Sequence, residues 1–425
     1  MHNSSLPQPH PDAVAHSQRL MTMIIQAIFD AGGAISFAEF MAQALYAPGL
    51  GYYSAGVRKL GAKGDFITAP EISPLFSHCV ARQCQQVLAA LNEGIILEFG
   101  AGSGIMAAEI LKELERLDSL PRQYLILEVS ADLQQRQRET LQAQVPQLLH
   151  RVQWLKSLPS QKFSGVILAN EVLDAMPVQR FCLDEQEVLE FYVGLANPNR
   201  VAQKNSAPDL GSLANLEDIK RNKTFLDDYN NPTETAFVWQ TLPTRDKSLR
   251  AAVEALRPAL PIGYVSEINL ALPAWIQAVA DILATGLVLL IDYGFPSGEY
   301  YHPQRDQGTL MCHYQHYAHS NPLILIGLQD ITAHVNFTAV AEAALAAGLH
   351  VSGFTTQANF LLNSGLPELL SAFDPNDTKN YLQQTQQAKT LILPSEMGEL
   401  FKVMALTRHL DIPLLGFARD ERARL

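Results

Sequence analysis

Ile95-Ile96-Leu97-Glu98-Phe99-Gly100-Ala101-Gly102-Ser103-Gly104-Ile105 decides how the rest of this 425-residue chain is read. Ile95 to Leu97 is an apolar run too short for a helix, and Phe99 extends it, so it reads as a buried strand. The acid Glu98 sits near its end. Gly100, Gly102 and Gly104 follow, and Ile105 to Leu117 has helical spacing. A strand, a glycine turn and a helix let backbone N–H groups approach a nucleotide-like ligand where any Cβ would block the way. The dinucleotide pattern G-x-G-x-x-G would need its last glycine at Ile105, so this register is a different one.

Outward from that turn, further apolar runs recur. Tyr124 to Val129, Val152 to Leu155, Gly165 to Asn170, Gly286 to Asp292, His350 to Thr356 and Phe401 to Thr407 read as strands. Helical stretches lie between most of them, which predicts α/β architecture with a parallel, doubly wound sheet. Ligands in such sheets bind at the carboxyl ends of strands. Glu128 ends its strand just over twenty residues after the glycines, where an acid can accept from both hydroxyls of a ribose. The strand ending at Asn170 runs into Glu171-Val172-Leu173-Asp174-Ala175-Met176-Pro177, so Asn170, Glu171 and Asp174 should lie beside the glycine turn. Glu71 to Leu91 reads as a helix, and Ser36 with Glu39 as the capping box of another. Gln179 to Val193 alternates like a hairpin turning at Asp184-Glu185. The loop Gly61 to Phe76 carries Asp65, Thr68 and Glu71, and loops hold function more often than cores do.

Bulk properties narrow the partners. A formal charge of -12 argues against a general nucleic-acid binder. Cys79, Cys84, Cys182 and Cys312 form no C-x-x-C pair and no disulfide framework, so free thiols are expected. No apolar run reaches the ~20 residues of a membrane span. The first twenty residues lack a signal core and carry only Arg19 as a basic residue, which predicts a cytoplasmic protein without a transit peptide. His302, His313, His316 and His319 stand among tyrosines without a Cys or carboxylate pattern, so a polar, aromatic lid is expected there and no metal. Asn197 to Thr233 reads as an exposed insertion.

The E-x-G-x-G-x-G form resembles the first motif of the Rossmann-like S-adenosylmethionine (SAM) methyltransferases. GDFITAPEISPLF, LEFGAGSG, ANEVLDAMPV, LLIDYG, GLQDITAHVNF and EMGELFKV together resemble, in order, the MidA-like family of these enzymes. That family includes the mitochondrial protein arginine methyltransferase of complex I assembly. The resemblance covers about residues 20 to 410, and departs at Ser77, where the family usually has glycine, and in the insertion around 197 to 233. It implies a Rossmann-like seven-strand methyltransferase sheet with SAM as cofactor. It implies a helical N-terminal region over 1–92 and a methyltransferase domain over 93–425, with insertions near 180–260, 295–330 and 358–398. Glu98, Gly100, Gly102, Gly104, Glu128, Asp65 and Thr68 are then the expected cofactor contacts, and Glu171, Asp174 and Asn170 the catalytic set, with Glu267 or Asp292 as further carboxylates. The implied reaction is methylation of arginine on a partner protein, a respiratory-complex subunit being one candidate. Alternatives are a small-molecule acceptor, or an assembly factor that binds SAM without catalysis. A homodimer is compatible with either.

Overall fold

The computed structural model describes residues 6–55, 67–196 and 236–425. Asp65 and the insertion expected at 197–233 fall outside the described residues. The chain forms two compact units. One gathers Met1–Val57, Pro177–Leu270 and Pro303–Ala333; the other gathers Arg58–Met176, Ala271–His302 and His334–Leu425.

The second unit contains the glycine turn. Its strands are β1 (Ile95–Phe99), β2 (Gln123–Leu127), β3 (Val152–Leu155), β4 (Phe163–Asn170), β5 (Leu283–Phe295), β6 (His350–Thr356) and β7 (Phe401–Arg408). They lie in the order β3-β2-β1-β4-β5-β7-β6. All neighbours are parallel except that β7 runs antiparallel to both β5 and β6. A two-residue strand, Val335–Asn336, extends the carboxyl end of β5. The expected seven-strand methyltransferase sheet is therefore present. The chain runs outward from β1 to β3, then returns to β4 on the other side of β1, so the crevice between the ends of β1 and β4 is the topological switch point.

The period of two along each strand divides the core into two faces. Ile96, Tyr124, Ile126, Val166, Leu168, Leu287, Leu289, Val403 and Ala405 pack against the helices Pro74–Leu91 and Ile105–Arg116. Phe360, Leu361, Leu366, Ala388 and Leu391 join this face, so the helical segments between β6 and β7 cover the sheet. Leu97, Leu125, Ile167, Val288, Leu290 and Met404 face the other way, against the helices Leu272–Ile282 and Phe337–Ala346. With both faces covered, all five residues of β1 are buried, as its near-continuous apolar run requires.

The helix after the glycines, Ile105–Arg116, ends within a residue of its sequence reading. The stretch from Glu71 to Leu91 departs from its own, being two helices, Ala69–Ile72 and Pro74–Leu91, broken at Ser73. Proline forces its predecessor out of helical geometry, and Ser73 is extended at φ −154°. Its hydroxyl then caps the second helix by accepting from the Leu75 N–H.

The other unit is largely antiparallel. Ala34–Ser36, Gln179–Leu183, Val188–Leu195, Phe237–Pro243 and Val265–Ile268 form one sheet. The expected hairpin is there, closing through Leu183 opposite Val188. Ser36 caps Phe37–Tyr46 through the Glu39 N–H, as its sequence indicated. Met311–Tyr314, Tyr317–His319 and Asp330–Thr332 form a second, three-stranded sheet. Among the described residues no helix is long and apolar enough to cross a membrane.

Candidate active site

The glycine turn owes its shape to left-handed backbone. Gly100, Gly102 and Gly104 have φ of 60°, 54° and 83°. Gly104 is the N-cap of Ile105–Arg116 and has no side chain to cap it, so the helix end presents N–H groups to the turn. A Cβ on Gly104 would stand 3.0 Å from the Cα of Gln137, so the following helix would have to give way by a few tenths of an ångström to admit a side chain here. Glu71 comes up beside the turn and accepts from the Ser103 hydroxyl, which ties the PEISPLF stretch to the glycines. Thr68 stands just before Ala69–Ile72, and its carbonyl accepts from the Glu71 N–H at 2.9 Å.

Glu128 follows the end of β2. Its Oε1 accepts from the Ser130 N–H at 2.9 Å and its Oε2 from the Gln137 amide at 3.1 Å. A carboxylate has about four acceptor positions, so these donors do not exhaust it. Two adjacent acceptors of this kind suit the two hydroxyls of a ribose. Burial pushes Glu128 up, and hydrogen bonds from Ser130, Gln137 and the Val129 N–H oppose the shift. Glu98 is set apart from these groups. It is 1 % exposed and its carboxyl accepts from the Tyr124 hydroxyl at 2.7 Å inside the core. Burial raises it to about 7, with the Tyr124 hydrogen bond pulling the other way.

Across the switch point, Asn170 ends β4 and Glu171 begins a turn. Glu171 holds a left-handed backbone, φ 52°, which costs a non-glycine residue roughly 1–2 kcal/mol. Such strain persists only where its surroundings enforce it. Here the Glu171 N–H donates to the Ile291 carbonyl of β5 at 2.9 Å. The next three N–H groups, of Val172, Leu173 and Asp174, all converge on Asp292 Oδ2, at 3.2, 2.9 and 3.3 Å. Asp292 Oδ1 accepts from the Tyr293 N–H. Tyr293 in turn donates its hydroxyl to Asp174 Oδ2 at 2.5 Å. Asp292 thus shapes the turn and Tyr293 orients its last acid. Burial raises Asp174, and burial together with the Asp174 and Glu171 charges raises Asp292.

Among the described residues, two buried oxygens in this turn have no hydrogen-bond partner: Asn170 Oδ1 and Asp174 Oδ1. Unsatisfied buried acceptors are costly, so these two oxygens are open to a donor. Glu171 carries a third acceptor, its Oε1 lying 3.4 Å from the Asn170 amide nitrogen. The rings of His334 and Tyr293 stand nearly perpendicular, 5.3 Å between centres.

The sequence reading placed Asn170, Glu171, Asp174, Glu128 and the glycines on one set of strand ends, and the structure brings them there. Glu267 lies in the other unit, where its Oε2 accepts from the Thr309 N–H and hydroxyl and its Oε1 is 3.6 Å from Arg180. Tyr293 and Gln137 were not singled out. Gln137 left one legible trace: it shares helical spacing with Gln134 and the buried Leu141, so a polar side chain stood on an inward face.

Strand order 3-2-1-4-5-7-6 with a glycine turn at the switch point is the architecture of a SAM-dependent methyltransferase. Comparison with known proteins agrees. Residues 79–355, more than half of the chain, match the family described as "Putative S-adenosyl-L-methionine-dependent methyltransferase", and the chain belongs to that family. A solved structure of a candidate methyl transferase from Burkholderia thailandensis, bound to S-adenosyl-homocysteine (SAH), is 42% identical. That comparison covers 99% of this chain and 100% of the other, with a TM-score of 0.86. Protein arginine methyltransferase NDUFAF7 of Danio rerio is 27% identical over 88% of this chain and 84% of its own. NDUFAF7 of Homo sapiens is 28% identical over 92% and 84%. The MidA-like resemblance stands, and SAM is the cofactor. These curated relatives are named as mitochondrial proteins, which overturns the cytoplasmic expectation drawn from the N-terminal residues.

Proposed function

We propose that the chain methylates arginine in a partner protein, with the turn after β4 as the acceptor site. The observation that carries this reading is the pair of buried, unpartnered oxygens on Asn170 and Asp174, with Glu171 between them. Two such oxygens with a carboxylate between them in the chain suit a group that offers several N–H donors in one plane, as guanidinium does. The names of the curated relatives, protein arginine methyltransferases, support the same acceptor.

When bound, SAM would supply a methyl group from its sulfonium to a nucleophile in line with the S–CH3 bond, and SAH would leave. The residues that would hold the cofactor are Gly100, Gly102 and Gly104 at the methionine part and Glu128 at the ribose, with Thr68 in the stretch that leads to Glu71. Glu98 contributes by stiffening β1 through Tyr124. The chain's own task is then to make guanidinium reactive. With a pKa above ~12 it stays protonated and is a poor nucleophile. Glu171 holds it and draws its charge toward one nitrogen, Asn170 Oδ1 orients that nitrogen, and Asp174 Oδ1 receives the proton released. Alignment of this kind contributes several kcal/mol, up to roughly 7–11 in well-ordered systems. No nucleic acid enters this reading, and a homodimer is compatible with it.

The test is to incubate purified protein and labelled SAM with a lysate from cells lacking the enzyme, then to digest the labelled material and analyse it by mass spectrometry. Methylarginine on a protein is the expected result. Label on a small molecule, or SAH binding with no transfer at all, would refute the reading. Glu171→Gln should abolish transfer while leaving SAH affinity unchanged; full turnover in that variant would remove Glu171 from the mechanism.

A further inference from the structure

Gln137 is fully buried in the middle of the helix Ala131–Gln144, where an amide is tolerated only if its groups are satisfied. Its partners are specific. The amide nitrogen donates to the Gly102 carbonyl and to Glu128 Oε2, each at 3.1 Å. The amide oxygen accepts from Trp154 Nε1 at 2.9 Å. Indole can only donate, and both other partners can only accept, so a single orientation of the amide satisfies all three. The Trp154 ring is held from outside by the Arg138 guanidinium, 4.2 Å above it.

One side chain therefore joins the glycine turn to the acid at the end of the next strand. No other side chain among the described residues is seen to hydrogen-bond to both. The backbone of Glu128 is fixed separately, its carbonyl accepting from Gln134 at 2.6 Å. The rotation of the carboxyl group is set by the neighbouring N–H groups of Val129 and Ser130 and, from the helix that follows, by Gln137, the one side chain among them.

We propose that Gln137 is a positioning residue for the cofactor site: it locks the Glu128 carboxylate in the rotation that presents its remaining lone pairs to the ribose hydroxyls, at a set distance from the glycine turn. Gln137 touches no ligand and acts through Glu128. The inference rests on the ribose role of Glu128 and is independent of which group accepts the methyl.

The experiment is a double-mutant cycle read by calorimetric titration with SAH, alongside thermal unfolding of the ligand-free proteins. Gln137→Met keeps the volume and removes both donors. It should weaken SAH binding about tenfold to hundredfold, the range for hydrogen bonds to a charged group. In a Glu128→Ala background the same change should cost less than about twofold, because the group it orients is gone. Trp154→Phe removes only the donor that orients the amide, and should give a smaller loss that also vanishes in the Glu128→Ala background. If Gln137→Met does not fold, the Trp154→Phe cycle decides by the same criterion. Equal losses in both backgrounds would overturn the proposal, since a merely structural glutamine behaves that way. Tight binding by Gln137→Met, with Glu128→Ala weakened, would overturn it and leave the ribose role standing. SAH affinity unmoved by Glu128→Ala would overturn both.

Discussion

Replacing Glu98 by glutamine should make the protein more stable at pH 8 and leave it unchanged near pH 4.5. The carboxyl is buried under β1, beside the Tyr124 hydroxyl. Burial lifts it from an ordinary 4.5 to about 7 in the folded chain. The folded state then holds this proton more tightly than the unfolded state does. Its contribution to stability is complete below about pH 4.5, shrinks as the pH rises, and is lost above about 7. At 1.36 kcal/mol per pH unit the full loss is about 3 kcal/mol. Glutamine keeps an oxygen for the Tyr124 hydroxyl and cannot ionise. The difference in stability between the two proteins should therefore be near zero at the acid end and grow to about 3 kcal/mol at pH 8, several degrees in melting temperature. Comparing the two proteins cancels every other titrating group. The assay is thermal and urea unfolding of both across pH 4.5 to 8. A difference that stays constant over that range would refute the argument, because it would mean that Glu98 is already ionised in the fold.

Three further outcomes follow from the site. Gly104→Ala must place a side chain at φ 83° and 3.0 Å from Gln137 Cα, so SAH binding should fall at least about tenfold in calorimetric titration and stability by roughly 1–2 kcal/mol. Asp292→Ala leaves the N–H groups of Val172, Leu173, Asp174 and Tyr293 without their acceptor, so methyl transfer should drop more than about a hundredfold, with stability lowered by roughly 3 kcal/mol in urea unfolding. Asp174 must be ionised to take a proton, and burial raises it, so transfer should fall on the acid side above the ordinary aspartate range. The Tyr293 hydroxyl pulls Asp174 down, so Tyr293→Phe should move that limb to higher pH in the rate profile, and an unmoved limb would exclude Asp174 as the acceptor.

Some of this protein was determined within single stretches of its sequence. Ile95 to Phe99 makes a strand because its apolar run is short, and Gly100, Gly102 and Gly104 allow a turn that only residues without a Cβ accept easily. Glu128 and the run from Asn170 to Asp174 were placed by one rule, that ligands meet the carboxyl ends of parallel strands. All of these are local patterns of period, turn chemistry and strand ends. The tertiary structure decided what each acid does. Glu98 and Glu128 both stand on or just after strands, yet one faces the core and Tyr124 while the other meets Ser130 and Gln137. Asp292 was read as one more carboxylate, and folding makes it the anchor of a turn more than a hundred residues earlier. Gln137 and Tyr293 gained their parts the same way, by meeting groups distant in sequence. A hydrogen bond depends on fractions of an ångström and on the direction of a lone pair, and those are set only when the strands have been brought side by side.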